Sequence, residues 1–372
     1  MIKIRSFVLL AILFTLLSCH PNNDKEWASY DIDIIDTLFV PLTTSDLSFG
    51  GYLAEEDVFL FADLEDGIEL LEVNRDGDLI SKWDVGGTGP DKVGSILSAF
   101  NYIGQDTICL VSDKGVFFMN RKGENIMSKD HIVSNPWFRE KKLKKIASEE
   151  EDKLIFVHKS PRNIPPLNHP DHYKNTLNFT IYDPILDTMS LVVPFEEGSR
   201  LKNSRIQPAD LIRLFAVHDD IFYCLYSPEP QLFVYNIDKE LKYSSSIPLF
   251  SENFMVSESN KDIMMSLLSS SSYTGIEVSD NFVFLTYRTG IPAKFLKGKS
   301  LDPKSIEKLY SKHNQVFGQV LKNGERVSED ILCPPFVHKV VGEIGDGKFI
   351  FQPNGNIEFP DREAFFIGEL VY

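Results

Sequence analysis

The chain has 372 residues, with 38 basic side chains against 54 acidic ones and a net charge of −16. Such an acid surplus excludes the nucleic-acid-binding classes, whose affinity comes from a basic footprint on phosphate. With 43% apolar residues the chain can bury a large core, and its four cysteines are too few to imply a disulfide framework.

The first eighteen residues join a cationic start, Lys3 and Arg5, to an apolar run from Phe7 to Leu17. A spanning helix needs about 20 apolar residues, so this run reads as a signal peptide. Its end, Leu16-Leu17-Ser18-Cys19, resembles the bacterial lipobox, with Cys19 as the lipid acceptor. The competing reading is an ordinary secretory peptide with a chance cysteine. Acyl chains on Cys19 would hold the protein to a membrane at about 0.8 kcal/mol per buried methylene. Residues 20–29 are polar and short, and read as a tether. The expected organisation is a signal peptide over 1–18, a lipidated tether over 19–29 and a folded body over 30–372. Cleavage removes two basic groups and no acidic one, which leaves 36 basic against 54 acidic residues, or −18.

A body of this length would ordinarily divide into two domains, unless it is built from repeats. From residue 30 on, short runs of Phe, Tyr, Val, Ile and Leu alternate with Asp, Asn and Gly, which is strand-and-turn composition. An acidic turn before an apolar strand recurs six times, at Glu56-Asp57, Gln105-Asp106, Glu151-Asp152, Asp219-Asp220, Ser279-Asp280 and Asp346-Gly347, at spacings of 46 to 68 residues. A second turn follows most copies, at 74–78, 120–124, 236–240 and 322–325, with a looser version at Asp183-Pro184. Two hairpin turns per unit define a four-stranded antiparallel sheet. Six such sheets predict an all-β fold, a six-bladed β-propeller. The last unit offers three strands before Tyr372, so residues 30–40 are expected to supply its outer strand and close the ring, leaving no open edge. A sandwich or two smaller β-domains are the alternatives.

Between the first two units lies Gly86-Gly87-Thr88-Gly89-Pro90-Asp91. With the lipobox and the six turn pairs, this stretch makes the chain resemble the TolB-like six-bladed propeller lipoproteins of Bacteroidota over essentially its whole mature length. The resemblance implies a propeller in the cell envelope, on the periplasmic or surface face of the outer membrane, and implies little about activity.

Individual motifs point less far. Gly86 to Pro90 lacks the Lys-Ser/Thr of a phosphate loop and is expected to carry the chain from an outer strand to the next inner one, where its backbone could also line a ligand. His169-Pro170-Asp171-His172 is the densest histidine cluster, but it sits in a proline-rich loop not preset for one ion. No metal or other cofactor is expected. Cys109 and Cys224 lie in apolar strand-like runs and read as buried thiols. Asp36-Thr37-Leu38, Asp106-Thr107-Ile108 and Asp187-Thr188-Met189 resemble O-glycosylation acceptors, but all three sit at expected strand starts, and chance with strand propensity explains them better. No Gly-x-Ser-x-Gly elbow or His-Glu-x-x-His occurs, and no carboxylate pair stands out.

Function is therefore sought on the propeller's faces. Every long insertion, at 159–176, 195–209, 248–270, 287–313 and 353–363, falls on the face of second-to-third turns and blade links, where binding loops gather. Segment 287–313 carries +5, 130–145 carries +3 and 159–176 carries +2, on an otherwise acidic body. This near-neutral to basic face predicts an anionic ligand, whether an anionic glycan, a phosphate-bearing lipid or an acidic protein surface; solvated lysines on loops are the plain alternative. Lys92, Arg162, Arg205 and Arg288 are the predicted ligand contacts, and Cys19 the lipidation site. The expected protein is a monomeric binding propeller, with a hydrolase or lyase carrying an axial cation as the rival reading.

Overall fold

The computed structural model describes residues 27–41, 46–129, 141–146, 152–157, 173–174, 176–202, 211–237, 240–256, 265, 268–279, 282–297, 302–354 and 362–372. The recurring turns take the backbone shapes their residues favour. In the first turns, Asp57, Asp219 and Asp346 sit at φ of 56°, 46° and 54°, a left-handed conformation that Asp tolerates better than most residues. In the second turns the reversal falls to glycine, Gly77 at φ 87° and Gly123 at φ 84°. Asn74 and Asn120 tie these turns shut by accepting from the amides of Asp78 at 2.8 Å and Glu124 at 2.9 Å, which is Asx-turn chemistry.

The strands between these turns form six antiparallel sheets. After β1 (Asp31–Val40), the first sheet comprises β2 (Leu47–Leu53), β3 (Val58–Asp63), β4 (Glu69–Asn74) and β5 (Leu79–Asp84). The second holds β6 (Leu97–Tyr102), β7 (Thr107–Ser112), β8 (Val116–Asn120) and β9 (Asn125–Lys129). The third holds β10 (Leu143–Ile146), β11 (Lys153–Val157), β12 (Leu177–Asp183) and β13 (Thr188–Pro194). The fourth holds β14 (Arg213–His218), β15 (Ile221–Tyr226), β16 (Gln231–Ile237) and β17 (Leu241–Pro248).

The fifth sheet departs from the expected pattern. Beyond β18 (Ser272–Ser279), β19 (Phe282–Arg288) and β20 (Val316–Lys322), its outer strand is broken into β21 (Glu325–Arg326) and β22 (Ile331–Leu332), both paired with β20. The break is held by Asp330, whose carboxylate accepts from Arg326 at 2.9 Å, Gln319 at 2.9 Å and Asn253 at 3.0 Å, and from the Ser251 hydroxyl. The sixth sheet runs β23 (Val337–Glu343), β24 (Lys348–Pro353), β25 (Glu363–Val371), and then β1, with Asp31 opposite Val371 and Val40 opposite Glu363. The N-terminal strand closes the ring, and the fold is a six-bladed β-propeller.

The core confirms the closure. Six apolar clusters each fill the gap between two neighbouring blades; that between the last and first joins Leu38 and Val40 of β1 to Phe59, Phe61 and Leu71. A seventh, smaller cluster lies under the blade 5 insertion, where α1 (Ala293–Leu296) and α2 (Pro303–His313) form. Asp302 caps α2 by accepting from the Ser305 amide at 3.0 Å, and Pro303 occupies its first turn, both favoured start signals.

Candidate ligand site on the propeller axis

The inner strands β2, β6, β10, β14, β18 and β23 neighbour one another in that order, and β23 returns to β2. Their approach is close enough to require missing side chains. A Cβ at Gly275 would stand 2.3 Å from the Val340 carbonyl oxygen, and one at Gly342 would stand 2.2 Å from Cε1 of Phe49. Around the axis these strands enclose a cavity of 330 Å³, to which all six contribute. That volume lies at the lower end of the range for small-molecule pockets, about 300–1,000 Å³.

Six cations line the cavity, Lys141, Lys142, Lys144, Lys145, Arg213 and Lys339, against two carboxylates, Glu277 and Glu343. The two-residue period of an extended chain puts Lys142 and Lys144 on one side of β10. Both reach Glu277 on β18, at 2.6 Å and 3.7 Å. Lys142 also donates to the Ile276 carbonyl at 2.8 Å. Because β10 belongs to blade 3 and β18 to blade 5, this contact joins two blades that are not neighbours in the ring. Glu277 is 3% exposed, so its charge is balanced by the two ammonium groups rather than by water. Lys141 donates to the Leu97 carbonyl at 2.6 Å, Lys145 pairs with Asp152 at 2.6 Å, and Glu343 accepts from the Gly345 amide at 2.9 Å.

Arg213 is balanced differently. Its Nε donates to Oδ1 of Asn178 at 2.7 Å, and Asn178 is fixed in turn by donating to the Val193 carbonyl at 3.0 Å and the Tyr226 hydroxyl at 3.1 Å. Burial lowers the pKa of the Arg213 guanidinium, while Tyr226 and Tyr173 act in the opposite direction. Among the described residues no carboxylate faces it. A guanidinium held by one amide on a cavity wall presents a planar fork matched to a carboxylate or phosphate.

Aromatic rings complete the wall: Phe49, Tyr52, Tyr102 and Phe215. Tyr52 donates to Asp57 and Tyr102 to Glu72, each at 2.8 Å. Burial first, then the Asp57 carboxylate, pushes Tyr52 up to about 12, and burial with Glu72 raises Tyr102 as well. Both phenols are fixed donors at neutral pH and are unsuited to proton transfer there.

The residues predicted from sequence lie elsewhere or outside the described residues. Lys92 is tied to Asp84, to its carboxylate at 3.0 Å and its carbonyl at 2.6 Å. The guanidinium of Arg288, at the end of β19, lies 5.6 Å from the Tyr310 ring. Neither lines the axial cavity. Cys19, Arg162, Arg205 and the cluster from His169 to His172 lie outside the described residues. The link at Gly86 runs from β5 to β6 as expected, with Gly87 bonded to Gly94 at 2.7 Å, but does not reach the cavity. Cys109, Cys224 and Cys333 are buried free thiols, and burial pushes the pKa of each up. The cavity's basic residues had one visible signal, the Lys141-Lys142-Leu143-Lys144-Lys145 run within the basic segment 130–145. Among the described residues no group of His, Cys, Asp and Glu is placed to hold a metal.

No protein-family model matches the chain, and no curated protein matches it. Among solved structures it is similar to a luciferin-regenerating enzyme, at 9% identity over 92% of this chain and 95% of that one, with a TM-score of 0.48. It is also similar to BamB from Moraxella catarrhalis, at 9% identity over 91% and 99% of the two chains and a TM-score of 0.44. The WD40 domain of Neurospora crassa Pan2 aligns at 7% identity over 91% and 95%, with a TM-score of 0.44. The six-bladed assignment rests on the strand pairing described above.

Proposed function

We propose that this chain is a monomeric envelope lipoprotein of the TolB-like kind, held at the outer membrane through Cys19, whose propeller binds a small anionic ligand on its axis. One observation carries the binding reading: a 330 Å³ cavity is lined by six cations and two carboxylates, in a chain whose net charge is −16. An acidic sugar, or the acidic end of a glycan, suits this lining. Its carboxylate or phosphate would meet Arg213, and its ring would lie against the aromatic wall. An acidic protein surface is too large to enter. The rival enzyme with an axial cation is less well supported, because Glu277 is already held by two lysines and a divalent ion would be repelled by the remaining positive charge.

The test is a thermal-shift and calorimetric screen of uronic acids and sugar phosphates, with neutral sugars as controls. Anionic sugars should raise the melting temperature and neutral ones should not. Arg213→Ala should weaken binding about tenfold or more, since a hydrogen bond to a charged group contributes roughly 1.5–3 kcal/mol. Glu277→Gln should leave binding intact or tighten it, because it frees two lysines. Equal binding of an anionic sugar by wild type and Arg213→Ala would refute the site, and turnover of any screened compound would favour the enzyme.

A further inference from the structure

The helical insertion of blade 5 places its lysines unlike much of the remaining surface. Elsewhere Lys82 pairs with Glu69, Lys129 with Asp187 and Lys153 with Asp183. On the insertion, Lys294, Lys297, Lys304, Lys308 and Lys312 are exposed, and none meets a carboxylate among the described residues. Lys304, Lys308 and Lys312 recur every four residues along α2 and so form one stripe. Ile306, Leu309 and Tyr310 of the same helix pack onto the small cluster beneath it. The apolar face of α2 is used by the fold, and its basic face is left to solvent.

One exposed apolar side chain borders this insertion, and another lies beside the outer strand of the same blade. Phe250 is 77% exposed and Leu332 is 56% exposed. Leu332 stands opposite Phe317 at the start of β20, just beyond Gln315, whose carbonyl accepts from Thr289 where the insertion leaves and rejoins the blade. The Phe250 carbonyl accepts from Arg326, and the Arg326 guanidinium lies 5.1 Å from the ring of Trp27. The N-terminal segment enters at this same blade. Ala28 pairs with Ser328, and its amide donates to the Val327 carbonyl at 3.0 Å. Cys19 precedes Trp27 by eight residues, a connection that spans at most about 29 Å when fully extended.

The geometry points to the rim of blade 5 as the surface this protein lays on an anionic bilayer, with the α2 lysines at headgroup phosphates and Phe250, Leu332 and Trp27 at the interface. Its orientation relies on the Cys19 anchor proposed above, whereas the surface can be tested without it. An acyl anchor and a polybasic patch together make a two-signal attachment. Each lysine near an anionic surface contributes about a fivefold gain in partitioning, so the stripe accounts for about a hundredfold.

The chain from residue 20 onward contains every described residue and the complete ring. It is sedimented with vesicles of phosphatidylcholine alone and of phosphatidylcholine mixed with phosphatidylglycerol. Binding is expected to the anionic vesicles only, weakened by salt and reduced about a hundredfold in Lys304→Ala/Lys308→Ala/Lys312→Ala. Phe250→Ser, a change at one exposed residue, should also weaken it. Circular dichroism checks that each variant is folded. Equal partitioning into both vesicle types, or a triple variant that binds like wild type, would overturn the inference. So would binding to soluble polygalacturonate without binding to vesicles. Arg213→Ala should bind vesicles like wild type, which separates this surface from the axial site.

Discussion

Leu38→Ala tests ring closure at a single side chain. Leu38 is fully buried in the seam between β1 of the last blade and the strands of the first, beside Val40, Phe61 and Phe365. Truncating a buried leucine costs about 2–5 kcal/mol, the transfer term plus the cavity it leaves. A typical domain is stable by about 5–15 kcal/mol, so this one seam would forfeit a large fraction of the total. If β1 latches the ring, all six blades should respond together. Urea unfolding followed by far-ultraviolet circular dichroism and tryptophan fluorescence should give one coincident transition at a lower midpoint. Ile35→Ala, on the same strand but 41% exposed, should stay within about 0.5 kcal/mol of wild type. A Leu38→Ala protein as stable as that control, or one that loses only part of its structure in a separate step, would refute the latch.

Two further outcomes concern the anchor and pH. Cys19→Ala should leave an unacylated precursor that loses its salt-resistant, detergent-dependent membrane fraction in cells; retention of that fraction would show that the lipobox reading is wrong. Burial, followed by the nearby charges of Lys339 and Arg288, holds His338 at about 4 against an ordinary 6.5. Because its folded pKa is depressed, its contribution to stability is complete above about pH 6.5 and is lost as pH falls towards 4, by up to about 3 kcal/mol. His338→Asn should flatten the stability curve over that window, and a curve as steep as wild type would rule this group out.

The propeller was legible because its turns constrain sequence locally. Asp57, Asp219 and Asp346 stand where the backbone becomes left-handed, and Gly77 and Gly123 do the same in the second turns. A count of strands then showed that the last unit lacked one, and the run before the first unit supplied it. Two features stayed hidden. Helix α2 announces itself by the Asp302-Pro303 start and by apolar residues at 306, 309 and 310, but these lie in eleven residues dominated by lysine and serine. The broken outer strand of blade 5 depends on Asp330, whose partners Asn253, Gln319 and Arg326 come from separate elements. Its cause is tertiary, and no local pattern records it.

The axial site was legible only as an excess of charge on one face. Lys142 and Glu277 meet across 135 residues of sequence, so loop lengths and charge counts could pick out the face but not the axis. Nor does a basic residue's neighbourhood in sequence reveal whether its charge is already balanced. Arg326 and Arg213 are both largely withdrawn from water, and each begins or ends a strand. Arg326 is met by the Asp330 carboxylate and by the carbonyls of Ser328 and Phe250, so it holds the fold together. Among the described residues Arg213 is met by one amide, and its charge is left to the cavity. A half-buried cation with no counter-charge among the described residues costs free energy that an arriving anion can recover, which is the physical reason for assigning binding to Arg213 rather than to Arg326 or Arg288.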